Sequence, residues 1–67
     1  MMTNEQRGNR GARILYIMLQ RYETQDREEA LREFLRDLLH TGYFYPNELI
    51  SQLNSAIHHE AECEESE

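Results

Sequence analysis

A single cysteine, a single proline and no lysine set the first limits on this 67-residue chain. Cys63 has no second cysteine to pair with in the monomer, so no disulfide staples the fold. A lone thiol among acidic residues fits a reducing, intracellular setting. Long apolar runs are also missing. The longest, Ile14 to Leu19, is six residues, whereas a membrane span needs about 20. Residues 1 to 13 are polar, which does not suit a signal peptide. No glycine-rich phosphate loop is present, and a chain this short has little room to enclose a substrate pocket.

Charge is plentiful but one-sided. Thirteen carboxylates oppose seven bases, all arginine, for a net charge of −6. Residues 1 to 27 carry five arginines against three carboxylates, and residues 28 to 67 carry two against ten. After Arg36 there is no arginine or lysine at all. That half of the chain repels phosphate, so direct nucleic-acid or anionic-membrane binding is not expected. A basic protein partner remains open, including one that itself binds DNA. With 39% apolar and 30% charged residues, the composition is globular rather than disordered.

Three apolar segments follow one another. Residues 1 to 9 have no periodic apolar pattern and read as a flexible leader. From about 10 to 22, Ile14, Leu15, Met18 and Tyr22 fall at helical spacing, with Ile17 and Leu19 widening the stripe. Residues 27 to 41 carry the clearest amphipathic pattern: Ala30, Leu31, Phe34, Leu35, Leu38 and Leu39 alternate with charged residues and His40. Leu35 and Leu38 lie mid-stripe and are expected to be buried. Asp26 can cap this helix, with Glu29 completing a capping box. Glu28 and Arg32 are spaced as an i, i+4 ion pair. Gly42 suits the left-handed position just past the end.

The third segment opens at Pro46, a good first helical residue, and runs to about 60 on Leu49, Ile50, Leu53, Ala56 and Ile57. Residues 61 to 67 read as an acidic, fraying tail. Two short breaks predict near-antiparallel neighbours. The expected fold is therefore all-α: a small three-helix bundle, a helical hairpin plus an N-terminal helix, with residues 10 to 60 as one domain. So short a chain buries only about 60% of its unfolded surface. A homodimer through residues 10 to 22 would add the missing burial.

Several side chains invite chemistry. Asp37 and His40 lie i, i+3 on one helix, while His58 with Glu62 and His59 with Cys63 are i, i+4 pairs that can share a metal. In an antiparallel hairpin, however, His40 lies level with about residue 47, and His59 lies roughly 18 Å further on at about 1.5 Å per residue. One site within a monomer would then be out of reach, and the plainer reading is a set of surface polar groups. No cofactor is expected. The aromatic break Tyr43-Phe44-Tyr45 cannot turn all three rings inward. Phe44 can staple onto the third helix, leaving tyrosines accessible for a partner or simply covering the end of the bundle. Arg7, Arg10 and Arg13 beside Gly8 and Gly11 are a weak phosphate-binding signal. A helix-turn-helix reading fails because its recognition helix, residues 46 to 60, has no arginine or lysine and carries Glu48 and Glu60.

The stretch Leu35 to His40, with Asp37, Leu38 and His40, and the stretch Ala56 to Glu62, with Ala56, His59 and Glu62, resemble very small helical proteins encoded by bacteriophages and prophages. The turn from Gly42 to Pro46 is more aromatic than is usual there. The resemblance implies a cytoplasmic accessory protein of a phage or mobile element, with no established activity. The expected function is a small acidic, non-enzymatic interaction module that binds or inhibits a basic, nucleic-acid-binding host protein through Tyr43, Phe44, Tyr45 and Glu48. The alternative is a metal-binding or catalytic helical oligomer using Asp37, His40 and His59 across subunits.

Overall fold

The computed structural model describes the backbone of residues 1–66 and the side chains of residues 1–61. The fold is small and all-α: α1 spans Asn4–Arg21, α2 Arg27–His40 and α3 Pro46–Ser66, with no strand among the described residues. Helix α2 keeps its expected bounds almost unchanged. The other two are longer than the apolar pattern suggests.

Helix α1 starts at Asn4, so most of the expected leader is helical. The reason lies in Thr3. Its side chain accepts from the Gln6 N–H at 3.1 Å, and the Gln6 side chain accepts from the Thr3 N–H at 2.9 Å. This reciprocal capping box satisfies two amide groups that the first turn would otherwise leave open. Thr3-x-x-Gln6 was therefore legible, but the absence of apolar residues between Met2 and Ala12 and the presence of Gly8 and Gly11 conceal it. At its other end α3 runs six residues past the expected stop. The fraying expected for residues 61 to 67 concerns side chains that, from Glu62 on, lie outside the described residues.

Two compact units divide the chain, Met1–Asp37 and Leu38–Glu67. In the first unit, α1 ends in a Schellman motif. The Thr24 N–H donates to the Leu19 carbonyl at 3.1 Å and the Glu23 N–H to that of Gln20 at 3.3 Å. This forces Glu23 to a φ of 52°, a conformation that side-chain-bearing residues adopt at a cost. Asp26 caps α2 as expected, its Oδ1 accepting from the Glu28 N–H at 3.0 Å. The capping box is not completed by Glu29, because the Asp26 N–H donates instead to Thr24 Oγ1 at 3.1 Å. Nor does α2 pair Glu28 with Arg32; its ion pair joins Arg36 to Glu33 at 3.3 Å.

The pairing of α1 with α2 differs from the near-antiparallel expectation. The start of α2 (Arg27, Glu28, Leu31) lines a groove with the middle of α1 (Gly11, Ile14, Leu15, Met18). Further along, Phe34 lines a second groove with Ile14, Ile17, Met18, Arg21 and Tyr22 of α1, and Asp37 bonds to Tyr22. In an antiparallel pair Tyr22 would face Arg27, and Asp37 would lie about 15 Å away along the α2 axis. The two helices therefore cross. Ala30 is 0% exposed and is the buried core residue among those described. Leu35, expected in the core, is more than a third exposed, and Leu38 is only half-buried. A small residue occupies the most tightly covered position on α2, and the larger leucines flank it.

The second unit contains the end of α2, the turn and α3. Gly42 adopts a φ of 79°, as expected just past the end of α2. The Thr41 hydroxyl donates to the Leu38 carbonyl at 2.6 Å and accepts from the Tyr43 N–H at 3.1 Å, which fixes the turn. No helix among the described residues is long and apolar enough to cross a membrane.

Candidate interaction surface

The aromatic turn is held from below by the start of α3. The Tyr45 carbonyl accepts from the N–H groups of Glu48 and Leu49, at 2.9 and 3.2 Å. The Tyr45 N–H donates back to Glu48 Oε1 at 3.0 Å. This is half of a capping box, because tyrosine at the N-cap has no short side-chain acceptor to offer in return. Glu48, expected as a partner-facing carboxylate, thus also acts as the clamp that orients Tyr45. Its charge sits in the first turn of α3, where the helix dipole favours it.

With the backbone fixed, the three rings separate as their places in the turn dictate. Phe44 lies at N′, one helical turn before Leu49, the two positions of a hydrophobic staple; it is 38% exposed and Leu49 is half-buried. Tyr43 and Tyr45 are 81% and 67% exposed. Along α3 the apolar stripe continues outward: Ile50, Leu53 and Ile57 are each 60–62% exposed. The exposed apolar face of α3 thus begins next to the aromatic turn.

The candidate metal ligands are not gathered within one chain. Among the described residues, no three of His, Cys, Asp and Glu gather where one ion could be held. Asp37 and His40 share α2, but the Asp37 carboxylate accepts from the Tyr22 hydroxyl at 2.7 Å. His58 and His59 lie with ring centroids 6.4 Å apart and tilted by 58°, and both have further interactions. The side chains of Glu62 and Cys63, their expected i, i+4 companions, lie outside the described residues.

On α1, Leu15, Met18, Leu19 and Tyr22 are half-buried. Ile14 and Ile17, expected to share that stripe, are 54% and 61% exposed. Tyr16 is exposed as well and accepts from Gln20 Nε2 at 3.3 Å. Comparison with protein-family models, with curated proteins and with solved structures found no match to this chain.

Proposed function

We propose that this chain is a small acidic, non-enzymatic interaction module that docks on a basic protein through the Tyr43–Tyr45 turn and the adjoining carboxylates. The single observation that carries this reading is the exposure of Tyr43 and Tyr45 on a turn clamped by Glu48. Tyrosines on a preordered backbone lose little freedom on binding and supply large contact area. The absence of arginine and lysine after Arg36 gives that surface one sign of charge, which steers a basic partner and repels nucleic acid. A DNA-binding host protein is the partner class this chemistry fits, with its nucleic-acid groove occupied and thereby inhibited. The cytoplasmic accessory role implied by the likeness to small phage proteins agrees with that reading.

A direct test uses two labelled probes, an arginine- and lysine-rich helical peptide and a DNA duplex, followed by fluorescence anisotropy. The peptide is expected to bind, more weakly as salt rises, and the duplex is not. Tyr43→Ala with Tyr45→Ala should weaken peptide binding by about tenfold or more. Equal binding of the duplex, or peptide binding indifferent to both tyrosines, would overturn the reading.

A further inference from the structure

Two exposed helix faces remain whose chemistry is complementary. At about 100° per residue, Arg10, Arg13, Ile14, Ile17 and Arg21 fall within about one third of the circumference of α1. Glu5 lies on the far side of that helix. The face is thus two exposed isoleucines framed by arginines. By the same geometry, Leu49, Ile50, Leu53, Ile57 and Glu60 share about one third of α3. That face is apolar, ends in a carboxylate, and is followed in sequence by further glutamates at 62, 64 and 65.

We infer that the α3 face binds the α1 face of a second copy of this chain, antiparallel, to form a dimer. Charge decides the direction. Antiparallel docking sets Arg10 and Arg13 beside Glu60, Ile14 and Ile17 beside Ile57 and Leu53, and Arg21 near the start of α3. It also places the positive end of the α1 dipole against the negative end of α3. A parallel arrangement would bring Arg10 and Arg13 to the positive end of α3 and leave Glu60 opposite Arg21 alone. Length agrees, since α1 has 18 residues and α3 has 21. The apolar stripe this contact covers starts at Leu49, past the aromatic turn, so the surface proposed for a basic partner begins outside it.

The test needs only the purified chain, so its outcome is independent of any basic partner. Sedimentation or light scattering at micromolar concentration should give twice the 8.1 kDa chain mass, and added salt should weaken the dimer. Arg10→Glu with Arg13→Glu, and separately Glu60→Arg, should each weaken self-association by about tenfold. Helicity should be unchanged, because all three side chains are exposed. Mixing the two variants should restore a dimer, since the α1 face of either variant then meets an α3 face of opposite charge on the other. Three results would each overturn the proposal: a single-chain mass at every concentration and salt strength, a mixture that regains nothing, or a dimer that survives Leu53→Glu but is lost with Ile17→Glu. The last result would indicate α1 pairing with α1, which salt should tighten rather than weaken.

Discussion

The Tyr22 hydroxyl donates a 2.7 Å hydrogen bond to Oδ2 of Asp37 across 15 residues of sequence. Tyr22 is the C-cap of α1, and Asp37 lies late in α2. The bond therefore pins the crossing of two helices whose apolar contact is limited. It also commits the carboxylate that the sequence offered as a metal ligand or base.

This bond should be visible in a titration. Hydrogen bonding to Asp37, together with the nearby negative charge, raises the Tyr22 pKa above its ordinary value of 10.0. Because the folded value is the higher one, the bond's contribution to stability is complete below the ordinary tyrosine pKa. It is lost as pH rises through the elevated folded value. Tyrosinate absorbance should show one of the four tyrosines titrating late. Tyr22→Phe should delete that component, and Asp37→Asn should return it toward 10.0. Four tyrosines titrating together would rule the bond out.

Glu23 carries backbone strain that glycine would not. Its φ of 52° is required by the Schellman bonds closing α1, and a Cβ is disfavoured there. Glu23→Gly should stabilise the protein by about 0.5–1 kcal/mol, partly offset by the greater freedom of glycine in the unfolded chain. Gly42→Ala, at a φ of 79°, should destabilise by about 1 kcal/mol. Thermal melts should therefore shift in opposite directions for the two variants.

Gly8 and Gly11 sit inside α1, and a Cβ built on either meets nothing within 4 Å. Neither is needed for a turn or a close approach. Each change to alanine should add about 0.5–1 kcal/mol of helix stability. Circular dichroism of the double variant should gain helicity and melting temperature. No gain would mean that residues 4 to 11 are not helical in solution.

Ala30 is 0% exposed, so the space around it is filled. Ala30→Leu should cost about 1–3 kcal/mol by overpacking, in a domain with little stability to lose. Leu35, more than a third exposed, should tolerate the change to methionine with less than about 1.5 kcal/mol lost. Chemical denaturation would rank the two, and the reverse order would move the core from Ala30 to Leu35.

Three helices, their approximate centres and the positions of Asp26, Gly42 and Pro46 could be read from the residues alone. Those features follow from short-range physics: apolar spacing of 3.6, an acceptor at the N-cap, a residue free to take positive φ, and a proline whose missing N–H costs nothing in a first turn. That the aromatic break leaves at least one tyrosine accessible was legible for the same reason, since a tight turn cannot bury three adjacent rings; that both are exposed was not. The tertiary structure alone decided which apolar residues are covered. Ile14 and Leu15, like Ala30 and Leu35, belong to one periodic pattern in the sequence, and only the crossing of α1 with α2 separates the covered from the exposed. A hydrogen bond between Tyr22 and Asp37 and a left-handed glutamate at position 23 accompany that crossing. Neither has a local signature, because a glutamate takes that conformation only when surrounding bonds impose it, and a hydrogen bond spanning 15 residues exists only once both helices are in place.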